Sequence, residues 1–356
     1  MWNMNIGGAE RAVYQLIKEQ YHSNIFSSLL VVDAGGFYSD SLIKEKVKVH
    51  FLHKKGIIDF RAAKYFLEIC SDYNIIHFHV VEPYLMFIAS KLKNTKVFYT
   101  RRGGEFPFNF RKFIKYKIAK YVVKNFDGIS GNTSTACDFI SDYWRIARHR
   151  VFTTYNGIDF SLLTPDASKG NIIKSYHLKE LSSKIIIGST ANIRKWKRID
   201  LLIRSMKLLN SRDIVCLIIG DGPEKKSLIK LSNSLGLDKQ VIFIPKVNNI
   251  SNFLQLFDIF VLPSDKQESF GNSIIEAMYF KIPTIIMSDG GGLIEHIRHL
   301  NTGLIANDLD DLVVNIKKLI TNPILRKKLG ENAMSFVTTK YSVQNMIKSY
   351  NEFYRQ

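Results

Sequence analysis

The sequence predicts an α/β protein of two Rossmann-like domains, each built on a parallel sheet, facing each other across a cleft. Three observations carry this. The chain has 356 residues, more than a single hydrophobic core usually sustains. Short β-branched runs alternate with helical patterns along nearly all of it, the mark of consecutive βαβ units. The alternation breaks once near the middle and then starts again.

Taken in order, residues 9–20 come first as an amphipathic helix, with Ala9, Val13, Leu16 and Ile17 on one face. Strands are expected over 28–33, 47–52, 75–80, 96–100, 128–130 and 151–155. Residues 161–183 lose the pattern, carry Pro165, Gly170 and several Ser and Lys, and read as an interdomain connection. Strands resume at 184–190, 213–220, 241–245, 259–264, 284–289 and 302–306, with helices over 200–209, 224–235 and 273–279. The domains are therefore placed at 1–160 and 184–335. Residues 336–356 form a C-terminal helix, a candidate for return to the first domain.

Composition narrows the function classes. The chain is 46% apolar and 23% charged, ordinary for a globular protein, and no apolar run nears the 18 residues of a membrane span. The first residues show no basic segment followed by an apolar run, so no signal peptide is expected. Cys70, Cys137 and Cys216 are far apart and read as buried free thiols in a reducing, cytoplasmic compartment. The net charge of +18 suits an anionic partner: nucleic acid, a membrane face or a phosphate-bearing substrate. It divides evenly, with 23 Lys and Arg against 14 Asp and Glu in residues 1–160 and 27 against 18 in the rest.

In open parallel sheets ligands bind beyond the carboxyl ends of the strands. The unusual residues fall there. Residues 259–278 read strand, polar loop, helix, with Glu268 on the loop and Glu276 two turns along the helix, an E-x7-E spacing. Between them, backbone N–H groups at a helix N-terminus suit anionic or hydroxyl-rich ligands. Other short motifs keep a fixed order: Gly7-Gly8-Ala9-Glu10-Arg11, Asn156-Gly157-Ile158-Asp159, the turn from Gly220 to Glu224, and Gly290-Gly291-Gly292 with Glu295.

This ordered set resembles the retaining family-4 glycosyltransferases of the GT-B fold (glycosyl transferases group 1), and the resemblance spans most of the chain. It implies a UDP-sugar or other nucleotide-sugar donor, a glycan or lipid-linked acceptor, and a place in envelope polysaccharide or lipopolysaccharide assembly. By the same resemblance Glu268 holds the transferred sugar with the amides of Ser269, Phe270, Gly271 and Asn272. Glu276 binds the donor ribose, and Lys197 the diphosphate. Gly7 and Gly8 let the first loop approach that diphosphate. Two positions depart from the family. Asn192 stands where an Arg is usual, with Arg194 and Arg198 the candidates for the missing charge. Arg102 stands where many members have a His. A permanent cation is no base at pH 7, so Arg102 is expected to stabilise the leaving diphosphate while a donor phosphate oxygen accepts the acceptor's proton. A metal-independent reaction without cofactor is expected. His79 and Arg101 are placed on the acceptor side; His77 reads equally as a core residue.

Residues 111–124 hold six cations and no acid, with Ile114, Ile118, Tyr121 and Val122 at helical spacing. The stripe reads as core packing, and the Lys and Tyr around it suit an anionic membrane, which would make the protein peripheral on the inner face of the cytoplasmic membrane. A sugar-nucleotide epimerase of the same architecture is the rival enzyme. A basic nucleic-acid-binding protein is the rival non-enzyme, disfavoured by the lack of any recognised binding motif. Lastly, a glycine-rich turn of this kind normally follows a buried central strand, and residues 1–6 contain no β-branched run. That strand is expected to be absent from this sequence and to lie upstream, leaving the first domain the less stable of the two.

Overall fold

The computed structural model describes residues 1–103, 110–178, 181 and 183–356, with the backbone alone at 110–112. The side chains of Arg111 and Lys112, the first two cations of the segment 111–124, lie outside the described residues. The chain divides into two compact units: Met1–Ile158 with Tyr341–Gln356, and Asp159–Lys340. The expected connection is thus part of the second unit. It carries α7 (Lys169–Ser175) and is tied in by Asn252, which accepts from the N–H groups of Asp166 and Ala167.

Unit 2 contains a six-stranded parallel sheet in the order β9-β8-β7-β10-β11-β12, formed by Val241–Ile244, Ile214–Ile219, Ile185–Thr190, Ile259–Leu262, Thr284–Met287 and Leu304–Ala306. Helices cover both faces, so the strands read as unbroken apolar runs; every residue of β8, β10 and β11 is buried. Helices α8 (Ile199–Leu209) and α12 (Leu309–Thr321) each bury one apolar face, whereas α11 (Asn272–Tyr279) is buried all round from Ile274 to Met278.

Unit 1 is a parallel design in two pieces. β1 (Leu29–Val31) pairs with β2 (Val49–Phe51), while β3 (Ile75–Phe78), β4 (Lys96–Arg101), β5 (Gly128–Gly131) and β6 (Val151–Thr153) form a separate four-stranded sheet. Helix α1 (Gly8–His22) opens the unit and α14 (Val343–Tyr354) closes it, burying Val343, Met346, Tyr350 and Phe353 against Leu16 and Phe98. Helix α5 (Phe110–Val123) differs from expectation. Ala119, Val122 and Val123 face the core, whereas Ile114, Ile118 and Tyr121 are 41%, 51% and 67% exposed. Of the stripe expected to pack inward, Val122 does so, while Ile114, Ile118 and Tyr121 face solvent among Lys117 and Lys124.

Candidate functional site

In unit 2 the order of strands reverses between β7 and β10, so the loops after these two strands diverge and leave a crevice at the carboxyl edge. Most residues singled out in the second half lie on these two loops. Lys197 ends a short 3-10 turn after β7, and its ammonium pairs with the Glu268 carboxylate from the loop after β10. Both side chains are 12% exposed, and Ser264 Oγ donates to the same carboxylate oxygen at 3.1 Å. Arg198 Nε donates to the Pro263 carbonyl at 2.9 Å while its two terminal nitrogens fork onto Asp289 at 3.0 and 2.5 Å. Asp265 N–H donates to the Trp196 carbonyl at 2.8 Å. These links hold the two loops as one body.

Glycines fix the backbone under Glu268. Gly271, just ahead of α11, has φ +68, and a Cβ there would lie 2.2 Å from a Leu293 methyl. Gly291 has φ +59, and its Cβ would lie 2.5 Å from the Glu268 carbonyl, which accepts from Gly292 N–H at 3.0 Å. The triple glycine thus serves as a backbone support for Glu268. The turn at 220–224 supports the other loop: Ile193 N–H donates to the Asp221 carbonyl and Glu224 N–H to the Ile193 carbonyl. Glu276 is buried on the second turn of α11, 7% exposed. Asn192 and Arg194 are exposed, the guanidinium of Arg194 lying 5.2 Å from the Trp196 ring centre. Thr190 Oγ1 at the end of β7 and Asn272 Oδ1 at the start of α11 are buried without a hydrogen-bond partner.

Three contributors escaped the sequence reading: Ser264, Arg198 as a loop clamp, and His296. His296 is fully buried, stacks edge-on to Phe270, and its Nε2 donates to the Phe270 carbonyl at 2.6 Å. Burial pushes its pKa down to about 4 against the raising effect of that carbonyl, so it is a neutral strut under the loop 268–272. Its position one residue after Glu295 was the available signal. The chain also contains one D-x-D spacing, Asp308-Leu309-Asp310, passed over in expecting a metal-independent reaction. Asp308 caps α12 there, accepting from Asp311 N–H at 2.9 Å.

In unit 1 a row of polar groups crosses the sheet edge. His77 is hydrogen-bonded to Tyr354 at 2.7 Å and Thr100 at 2.8 Å; Thr100 meets Ser130, Ser130 meets Thr154, and Thr154 donates to the Tyr350 hydroxyl. Arg102 closes the row, donating to His79 Nδ1 (3.2 Å), Asn156 Oδ1 (2.5 Å) and Tyr350 (2.7 Å). Burial and the Arg102 charge hold His77 well below the usual histidine range; burial, then His77 and Arg102, does the same to His79. Both ring nitrogens of His77 are therefore satisfied within the unit, and the residue is half-buried. Arg101 is buried, its guanidinium 4.2 Å from the Phe139 ring centre and 5.4 Å from that of Tyr116. Gly7 precedes α1 in an extended conformation, and Gly8 is the helix's first residue. The Glu10 carboxylate folds back over Gly7, 2.3 Å from where a Cβ would stand, so the glycine relieves a contact within the loop.

Residues 6–162 match the model of Glycosyltransferase Family 4 and residues 174–336 that of Glycosyl transferases group 1. The N-acetyl-alpha-D-glucosaminyl L-malate synthase of Bacillus anthracis is 30% identical over 207 residues, 57% of this chain and 53% of that protein. The capsular polysaccharide biosynthesis glycosyltransferase CapM of Staphylococcus aureus is 31% identical over 215 residues, 58% and 55%. The chain spans about half the length of these curated relatives. The Anabaena HepE structure, in complex with UDP, superposes with a TM-score of 0.84 at 18% identity, covering 97% of this chain and 95% of that one. With both units matched and the motifs in place, the chain belongs to the family-4, group 1 glycosyltransferases of the GT-B fold.

Proposed function

We propose that the protein transfers a sugar from a nucleotide-sugar donor, a UDP-sugar first among them, to a glycan or lipid-linked acceptor with retention and without a metal, in envelope polysaccharide or lipopolysaccharide assembly. The observation that carries this is the Lys197–Glu268 pair, one partner on each loop of the sheet switch, above an α-helix N-terminus. A diphosphate offers Lys197 a stronger anionic partner. It frees Glu268 to accept from sugar hydroxyls, and the helix N-terminus adds favourable field. Thr190 and Asn272 supply buried polar atoms to a hydroxyl-rich ligand, and Glu276 a carboxylate to a ribose diol. CapM acts in capsular polysaccharide biosynthesis and HepE was solved with UDP, which supports the donor and the setting.

The direct test is thermal denaturation with UDP-sugars, followed by transfer assays. A donor at 100 times its Kd raises stability by about 2.7 kcal/mol. If no nucleotide sugar raises the melting temperature, the reading fails. Turnover of donor that proceeds fully without any acceptor and epimerises the sugar would instead establish the epimerase.

Helix α5 carries the second part of the proposal: residues 111–124 dock the protein on an anionic membrane. Its exposed Ile114, Ile118 and Tyr121 interleave with lysines, the arrangement of an interfacial helix. Among the described residues no helix is long and apolar enough to cross a membrane.

A further inference from the structure

In unit 1 the loop between β2 and α3 (Phe60–Cys70) holds its apolar side chains away from the protein. Ile57, Ile58 and Phe60, almost consecutive, are 79%, 61% and 80% exposed. Large apolar side chains gathered on a surface mark a place where a partner covers them.

The exposure is built into the loop. Lys54 turns its ammonium inward, 1% exposed, to pair with Glu82 at 3.0 Å, and donates from there to the Gly56 and Ile57 carbonyls at 2.7 and 2.8 Å. Asp59 holds the other side. It accepts from Lys55 N–H at 2.8 Å and, as the cap of α3, from Arg61 and Ala62 N–H at 3.1 Å each. Gly56 makes the turn at φ +66, with open space where a Cβ would stand.

Backbone and charge together select the partner. A bilayer offers no hydrogen bonds, so a segment that enters it brings its polar groups already paired. The Gly56 and Ile57 carbonyls and the Lys55 N–H meet that condition. Around the tip Lys55, Arg61 and Lys64 are exposed, while the carboxylates of Asp59 and Glu82 are engaged within the protein. Cations on the rim of an apolar tip reach anionic headgroups while their stems lie along the acyl boundary. The tip is also continuous with α5, whose Lys115 meets the second oxygen of Glu82 at 3.7 Å.

We propose that Ile57, Ile58 and Phe60 insert into the acyl boundary of an anionic membrane as a wedge beside the cationic α5. This rests on the docking proposed for α5. That helix supplies the attraction that salt screens, and the wedge supplies apolar burial that salt does not screen. The loop leaves the carboxyl edge of unit 1, which also carries Arg102. Insertion sets that edge at the headgroups, where a lipid-linked acceptor presents its sugar.

The test uses the full chain and vesicles of equal parts phosphatidylcholine and phosphatidylglycerol. Ile57→Ser, Ile58→Ser and Phe60→Ser are combined in one variant; all three side chains face solvent, so its melting temperature is expected to match wild type. With salt high enough to screen the cations, the variant is expected to partition at least about tenfold more weakly than wild type. A second measurement reads depth. Ile58→Cys takes an environment-sensitive dye selectively, because Cys70, Cys137 and Cys216 are buried. Its emission is expected to move to the blue on the vesicles and to be quenched by lipids brominated on the acyl chain. A dye that stays in water on bound protein, or a serine variant that partitions like wild type in salt, overturns the wedge and leaves the docking of α5 standing. Wild type that binds these vesicles at no salt concentration removes both. A dimer that forms with concentration in vesicle-free solution and is lost in the serine variant assigns the tip to a second copy of the chain, and the proposal falls.

Discussion

At the scale of single residues the site is a set of charges whose partners differ in kind. Glu268 pairs with a cation that a diphosphate would claim, so Glu268→Ala is expected to lower turnover by about 10²–10³. Glu276, buried on α11, should act on donor affinity. Glu276→Ala is expected to raise the donor KM with a smaller change in kcat, and steady-state kinetics separate the two. Near-wild-type values for both variants would remove the centre of the proposed function. Arg102 stands apart because its guanidinium is spoken for by His79, Asn156 and Tyr350. Arg102→Lys keeps the charge but not the fork. We expect Arg102→Lys to retain part of the activity, Arg102→Ala to lose about 2–4 kcal/mol of transition-state stabilisation, and no ionisation near neutrality to vanish from the pH–rate profile. Full activity in Arg102→Ala would show that the residue only braces α14 against the loop at Asn156.

At the scale of elements, loops and helix ends carry the predictions. Gly271 sits in the left-handed region with Leu293 against its Cβ position. Gly271→Ala is therefore expected to cost about 1–3 kcal/mol, and its donor affinity should fall further than its melting temperature does. Donor affinity equal to wild type would sever the link between this turn and the site. For α5, replacing Lys115, Lys117 and Lys120 by Glu should release the protein from anionic vesicles, and salt should weaken wild-type binding because exposed charges are screened within about 8 Å at physiological ionic strength. Sedimentation equal to wild type would make the helix a plain solvated face. Most strands were legible because buried parallel strands are continuous apolar runs, as β8 and β10 are. The E-x7-E loop was legible because its chemistry is contiguous in sequence. The Lys197–Glu268 pair spans 71 residues and the His77–Tyr354 bond 277, and no local period encodes such meetings. The outward stripe of α5 was misread for the same reason: periodicity finds a face without saying what covers it.

For the whole molecule, histidines held neutral by desolvation tie stability to pH. His77 and His79 in one unit and His296 in the other are all held below the usual range, chiefly by burial. Unfolded, each ring protonates near 6.5; folded, it stays neutral to lower pH. The unfolded chain therefore binds more protons in that window, and stability falls as pH drops below about 6.5. For His296, a shift to about 4 corresponds to about 3 kcal/mol. Denaturant titrations between pH 4 and 7 should show the slope, and His296→Gln should flatten it for unit 2; a level profile in wild type would contradict the burial argument. The return of α14 has a different consequence. Unit 2 is one continuous stretch, Asp159–Lys340, set into unit 1 between Ile158 and Tyr341, which are joined by a hydrogen bond of 2.8 Å. A ribosome adds about 5–20 residues per second, and domains fold as units while it does so. It delivers all of unit 2 before Tyr350 and Phe353 exist to cover Leu16 and Phe98. The half of the chain synthesised first is thus the half completed last, and the surface awaiting α14 is what a chaperone would meet on the nascent protein.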